Sequence, residues 1–385
     1  MEARIIHDRQ QWNDFVMSSV CCNVTQTYEW AEFGSYLGAE EMLRIGVLDD
    51  AGQLCAATLL VVSRVPVLKQ TYFYAPRGPV IDDPASPAMT VLLNYIKVEA
   101  RKRHAFMLKI EPSVEADNFN WLTALKRRGF RVNPAHMHIR NEWVLDIRPD
   151  EKTLLAGMKE KWRYNIRLAG RKGITIRRGE SQADIDAFYR IYETTSERDK
   201  FFINDKALYS DILRVLGEQD RAALFLAEYE GQPISGIILL LAGPWAYYMY
   251  GASSNEHREK MPNHLLQWTG IQWAKQHGCL YYNFRGIPEI LEEGQEMWGV
   301  YLFKRGFGGR PMLSLATHDL VYQPFVYQAY RAMLNVKHRL DARREMRQAS
   351  HATHAAPQKQ EPTSAPTQNG RVSAAGEKPF EDRRR

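Results

Sequence analysis

Several things are scarce in this sequence, and each scarcity removes a class of explanation. Four cysteines occur in 385 residues (Cys21, Cys22, Cys55 and Cys279), spaced neither as a zinc site nor as a disulfide framework. That usage fits a reducing, cytoplasmic setting, and no metal site is expected. No stretch approaches the roughly 20 apolar residues needed to cross a bilayer. The best candidates, 54–62 and 234–242, are of strand length. The first ten residues, MEARIIHDRQ, put no apolar core behind their charges, so no signal peptide is expected. Long heptad segments are absent too.

A global charge bias is also missing, despite a formal net charge of +6. Residues 1–320 are neutral overall, and the excess sits beyond them. Within the neutral body, residues 152–178 hold nine basic side chains and one acid, Glu160. A local patch of this kind points to a local anionic partner. The apolar share of 45% and charged share of 25% are those of a globular protein. The length fits two domains rather than one core.

The chain is written twice. Gly52-Gln53 opens one apolar run and Gly231-Gln232 another. Tyr72-Phe73-Tyr74 and Tyr247-Tyr248-Met249-Tyr250 follow as aromatic strands. Helical stretches ending near His104 and His277 come next, then a strand and a proline turn at Pro112 or Pro288. Arg128-Gly129-Phe130 finally matches Arg305-Gly306-Phe307. The order is kept at an offset of about 175 residues. Each half alternates strands with helices, so an α/β fold with one mixed sheet per half is expected. Residues 348–385, rich in Pro, Ala, Ser and Gln, are expected to be disordered.

The order of elements resembles the N-acetyltransferase (GNAT) plan, which raises coenzyme A as a cofactor. Its pyrophosphate loop needs small residues whose backbone N–H groups meet phosphate. Here Arg258-Glu259-Lys260-Met261-Pro262-Asn263 stands in that place, and Pro262 has no N–H to donate. Ala75-Pro76-Arg77-Gly78-Pro79 in the first half is no better. No coenzyme A, and no other cofactor, is expected.

Three motifs then carry a more specific resemblance: Lys161-Trp162-Arg163-Tyr164-Asn165-Ile166-Arg167, Tyr250-Gly251-Ala252-Ser253-Ser254, and Tyr301-Leu302-Phe303-Lys304-Arg305-Gly306-Phe307. In this order, within a duplicated chain, they resemble the FemABX aminoacyltransferases, over roughly 25–340. The resemblance implies two tandem GNAT-like domains. Residues 1–148, completed by about 312–347, would form the first and 149–311 the second. It also implies transfer of an amino acid from aminoacyl-tRNA to a stem-peptide amine of a peptidoglycan precursor. There is no room for the long helical arm of staphylococcal members, so the chain is closer to the armless branch.

The implied chemistry is aminolysis of an ester, where positioning and oxyanion stabilisation supply most of the acceleration. The resemblance puts Lys304 at the oxyanion and Phe303 beside the acceptor end; the plainer readings are a solvated lysine and a core phenylalanine. Glu111 matches a family acid that orients or deprotonates the amine, or else caps its turn. Arg198 matches a precursor-binding position, or else pairs with Asp199 or Glu197. Phe202 would share its face if the segment is helical. Tyr250, last of its aromatic strand, and Trp30 complete the implied substrate contacts. The run Trp30-Ala31-Glu32-Phe33-Gly34 lacks the lysine that some members place there.

Lys159, Arg163, Arg167 and Arg171 recur every four residues beside an apolar face of Leu155, Met158, Trp162 and Ile166. Such a stripe suits RNA phosphates or a precursor diphosphate, or is a solvated helix face. Residues 322–347 read as a basic aromatic helix that lies on an anionic leaflet, packs onto the first half, or both. No stable protein partner is expected. Two other functions remain open: a CoA-dependent N-acyltransferase, and a non-catalytic relative that binds tRNA or precursor.

Overall fold

The computed structural model describes residues 1–336, 339 and 340. The expected tail over 348–385 and the end of the helix over 322–347 lie outside them. Met1–Tyr330 form one compact unit. Its first half runs β1 (Glu2–Ile5), α1 (Arg9–Ser18), β2 (Glu41–Leu48), β3 (Leu54–Val65), β4 (Gln70–Ala75), α2 (Pro87–Lys102), β5 (Ala105–Ile110), α3 (Phe119–Arg127) and β6 (Arg131–Val132). β7 (Asn141–Asp146) closes it, and the second half begins with α4 (Glu151–Gly157), α5 (Glu160–Arg171), β8 (Ile174–Gly179), α6 (Gln182–Asp199), α7 (Lys206–Gly217) and β9 (Ala222–Tyr229). It continues through β10 (Gln232–Ala242), β11 (Trp245–Ser253), α8 (Pro262–Gln276), β12 (Tyr281–Gly286), α9 (Trp298–Arg305) and β13 (Arg310–Leu313), and β14 (His318–Val321) follows.

Local chemistry explains the landmarks of the repeat. Gly52 (φ 77°) and Gly231 (φ 76°) both take the left-handed conformation that a tight hairpin turn needs and other residues resist. Ser181 and Asp184 form a reciprocal capping box at the start of α6. Asp150 accepts the N–H of Thr153 at the start of α4.

Two seven-stranded sheets result, ordered β1-β2-β3-β4-β5-β14-β6 and β13-β7-β12-β11-β10-β9-β8. Laid side by side, β1 to β5 answer β8 to β12 strand for strand. The β4–β5 and β11–β12 pairs are parallel and the hairpins antiparallel. Both halves send a strand away. β7 leaves the first half and pairs antiparallel with β12, while β14 returns to pair with β5 and β6. The two sheets exchange strands.

Both faces of the second sheet are covered, which is why its strands read as unbroken apolar runs rather than alternating ones. Leu224, Leu226, Ile238 and Leu240 pack towards the first half, with Trp12, Phe188 and Tyr209 in one continuous core. Their neighbours Phe225, Ala227, Leu239 and Leu241 face the other way, into a core with Ile166, Leu266 and Phe307. The helix over 324–336 begins by packing on the first sheet: the Tyr330 ring lies 5.2 Å from Phe106 and 6.0 Å from Tyr72. Phe325 on this helix is solvent-exposed, and Tyr327 is buried.

The halves are pinned by Glu29, fully buried, which takes Arg221 Nη1 at 2.8 Å and Arg9 Nε at 2.6 Å. Burial pushes its carboxyl up, but Arg221 and Arg9 outweigh that and hold it at about 2. A depressed acid stabilises the fold above the unfolded value near 4.5 and stops doing so as pH falls through 2. Glu29→Gln is therefore expected to cost about 3 kcal/mol at pH 7, with the deficit closing between pH 4.5 and 2, as read by thermal melts across that range.

Candidate active site

The centre of the site is Glu142, 3% exposed and the second residue of the exchanged strand β7. Arg77 Nη2 lies 3.1 Å and Arg285 Nη1 2.9 Å from its Oε1, and Asn283 Nδ2 donates to Oε2 at 2.8 Å. A bulge in β12 between Asn283 and Gly286 turns Arg285 inward, with φ 65° and its N–H held by Asn283 Oδ1 at 2.7 Å. The β11–β12 ladder ends at Tyr247↔Asn283 although β11 runs on to Ser253, so the strands part just where Arg285 emerges.

Lys304, in the last turn of α9, is 5% exposed and donates Nζ to Gly286 O at 2.6 Å. Burial, then the nearby Arg285, push its ammonium down to about 7, with Glu142 opposing. Arg77, Arg285 and Lys304 thus surround one carboxylate. A buried cluster with surplus positive charge is costly until an anion joins it, so the place favours an anion.

A second buried carboxylate lies nearby. Glu111, at the end of β5, accepts Tyr74 OH (2.6 Å), Thr317 Oγ1 (2.6 Å), the Met137 N–H (2.8 Å) and His138 Nδ1 (2.8 Å). Burial raises it, but His138, Thr317 and Tyr74 prevail and keep it well below the usual carboxylate range. His138 is followed by Ile139, whose carbonyl takes Arg77 Nη2 at 2.8 Å and whose side chain packs on Gly286. A chain of contacts therefore joins Glu111 to Lys304. Two openings flank it. One, of about 940 Å³, is lined by Glu142, Asn283, Tyr247, Trp245 and Tyr281; the other, of about 950 Å³, by His136, His138, Arg140, Ile287 and Glu289.

The profile described as the FemAB family matches residues 8–232 and 218–335. The chain belongs to the FemAB family. It is 26% identical over 393 residues to the "Lipid II:glycine glycyltransferase" of Staphylococcus aureus (strain MRSA252), covering 83% of this chain and 93% of that one. The same holds for its counterpart in strain USA300. A solved structure titled "Crystal structure of FemX" superposes with a TM-score of 0.80 at 26% identity, over 86% of this chain and 99% of that one. A tandem GNAT protein from the clavulanic acid biosynthesis pathway (TM-score 0.51, 13% identity, 83% and 99% covered) shares the fold. The two tandem GNAT-like sheets read from the sequence are those of the structure.

Within this FemAB fold the expected residues fall into three groups. Lys304 and Glu111 lie on the chain of contacts just traced. Tyr250 joins its edge, at the parted end of β11; its hydroxyl is raised by burial and Tyr209, against the pull of Arg285. Its ring packs edge-on against Tyr209, 4.9 Å away.

Phe303 turns away from Lys304 into the α5–α8–α9 packing, 5.2 Å from both His264 and Phe307. There Gly306 must be glycine: a Cβ would come within 2.0 Å of the Trp162 ring. Trp30 is buried edge-on against Phe33, 5.7 Å away. Arg198 ties the end of α6 to the end of β11, donating to Ser253 O and Asn255 Oδ1 at 2.9 Å, and pairs with Asp199. Arg198 and Phe202 do not share a helix face. α6 ends at Asp199, Lys200 takes the left-handed conformation (φ 55°), and Phe202 lies 87% exposed in the following loop.

The third group is the stripe. Lys159 is the N-cap of α5, and Leu155 and Met158 belong to the preceding helix and its end, so the apolar face is shared by two helices. Arg163 donates to the Met158 and Ala156 carbonyls at 2.5 and 3.3 Å, closing the end of α4. Lys159, Arg167 and Arg171 remain exposed and make no ion pair among the described residues.

Arg77, His138, Glu142 and Arg285 were missed. In the sequence Arg77 stands only in a run that fails as a phosphate loop, and the other three carry no spacing signal, since strand exchange alone brings them together. Lys304 gives a check on the cluster. Its unfolded value is near 10.4 and its folded value about 7, so folding strains the cation below pH 7 and stability rises with pH from 7 to about 10. Lys304→Met is expected to raise the melting temperature at pH 6–7, net of about 1 kcal/mol for the lost bond to Gly286. The gain should shrink towards pH 10 in a melting series; a lower melting temperature at pH 6 contradicts the strained cation.

Proposed function

We propose that this FemAB protein transfers an amino acid from aminoacyl-tRNA to the stem-peptide amine of a peptidoglycan precursor. The observation that carries the reading is the buried cluster around Glu142, where Arg285 and Lys304 leave a surplus of positive charge between the two halves. In ester aminolysis the amine attacks the aminoacyl carbonyl, an oxyanion forms, and the ribose hydroxyl departs. Lys304 and Arg285 stabilise that oxyanion. A donor set fixed before the reaction costs no reorganisation during it.

Supporting features lie around it. At the place of a nucleotide-thioester loop, His257 and Met261 take left-handed conformations, Lys260 lies over the Tyr229 ring and Asn263 is bonded to Ser235. Pro262, at the start of α8, has no N–H to offer a pyrophosphate there, which favours a donor other than coenzyme A. Lys159, Arg167 and Arg171 offer phosphate contacts to the RNA. The names of the staphylococcal relatives support lipid II as the acceptor. No helix among the described residues is long and apolar enough to cross a membrane, and the protein works in the cytoplasm or at its membrane face.

Incubation with a pool of charged tRNAs and either lipid II or the soluble UDP-linked muropeptide, read by product mass, tests the reading. One aminoacylated precursor is expected, and none from either acceptor refutes it. Lys304→Ala should lose about 10²–10³ in turnover with its fold retained by circular dichroism. Replacing Arg167 and Arg171 with Gln should lower the slope of log affinity for tRNA against log salt by about 1.5; an unchanged slope removes the stripe from the RNA interface.

A further inference from the structure

The site as described lacks a group to take the proton from the attacking amine. Lysine-type amines are protonated at neutral pH, and the nitrogen that has formed the new C–N bond must still shed a proton. Glu111 is badly placed for this. Both its oxygens are saturated by four donors, and those donors hold it ionised and buried. One of those four donors, however, has a second ring nitrogen.

We propose that His138 is the general base of the transfer reaction, oriented by Glu111 and serving an acceptor amine in the groove of about 950 Å³ that His138 lines. The inference rests on the proposed function. Nδ1 of His138 lies 2.8 Å from Glu111 Oε2 and 2.7 Å from Tyr74 OH, and the ring stacks on Tyr74 at 6.2 Å. Those contacts fix the ring plane and put the proton of the neutral imidazole on Nδ1, which donates to the carboxylate. Nε2 is then the free acceptor, and it has no hydrogen-bond partner among the described residues. A carboxylate behind one imidazole nitrogen sets the tautomer and steadies the imidazolium once the other nitrogen gains a proton.

The surroundings agree. Glu111 faces the ring from β5, Tyr74 and Arg77 from β4 and the turn after it, and Arg285 from β12. Burial, then the two arginines, hold the imidazole below its usual value against the pull of Glu111, so it is neutral at pH 7. Glu289 and the exposed Glu296 line the same groove and suit an incoming alkylammonium. Lys304 stands across the Ile139–Gly286 contact, on the backbone just before groove-lining Ile287.

The step balances. The free amine forms the C–N bond to the ester carbon and the carbonyl electrons move to oxygen, beside Lys304. Nε2 takes one proton from the nitrogen. The oxyanion collapses, the C–O bond to ribose breaks, and the imidazolium returns that proton to the departing ribose oxygen. An amide and a free hydroxyl remain.

The test measures kcat and KM of the full chain with charged tRNA and acceptor from pH 5.5 to 9. His138→Gln is expected to lose about 10²-fold or more in kcat, with KM for the acceptor within about threefold, and to lose the acidic limb of the wild-type profile. Added imidazole should restore part of the rate to His138→Ala. A His138→Gln protein that keeps its rate and its acidic limb overturns the proposal while leaving the transferase reading intact. A wild type that transfers nothing overturns both. Should the variants melt early, diethyl pyrocarbonate on the wild type decides: fragment masses are expected to place the inactivating adduct on His138, and acceptor to block it. Full inactivation with His138 unmodified overturns the proposal.

Discussion

One carboxylate, Glu142, holds the working end of this molecule together. It is buried among Arg77 from the turn after β4 and Asn283 and Arg285 from β12, with Lys304 of α9 beyond. Breaking a buried pair by removing one partner typically costs 3–5 kcal/mol, so the geometry of the bulge in β12, the turn after β4 and the last turn of α9 all depend on it. The carboxylate does not cancel the charge around it. Burial and the neighbouring Arg285 weaken the hold of Lys304 on its proton, and the cluster favours a further anion.

The duplication gives this cluster a counterpart. In the first sheet Lys109 of β5 meets Asp319 of β14 at 3.3 Å, much as Arg285 of β12 meets Glu142 of β7 in the second. Asn133 and Tyr327 close over Asp319 with hydrogen bonds of 2.7 and 2.9 Å, and the site is sealed. In the second-sheet pair Asn283 and Arg77 hold Glu142, and Glu142 and Asn283 line a cleft. Two copies of one plan therefore serve different ends. One locks the returning strand, and the other sets a carboxylate at the edge of a cleft.

The architecture was legible because it depends on local and periodic signals. Gly52 and Gly231 mark equivalent turns, and the apolar runs 54–62 and 234–242 mark equivalent strands, so ordered repetition revealed two sheets. At the candidate site the sequence, through the family motif, pointed to Lys304 and Glu111, which the structure joins by one chain of contacts. Arg198 and Phe202 show how a spacing rule fails: one left-handed residue, Lys200, ends the helix between them. Phe303 and Trp30 were read as substrate contacts because an aromatic near a motif looks the same in sequence whether it faces a cleft or a core. Arg77, His138, Glu142 and Arg285 had no signal at all, since their neighbourhood arises from strands that cross between halves.

That crossing has a historical consequence. β14 sits between β5 and β6, and β7 between β12 and β13, so each copy supplies an interior strand of the other's sheet. A lineage built this way cannot shed either copy, because deletion would open a gap in the middle of what remained rather than trim its margin. The duplicate, once interlocked, stopped being spare.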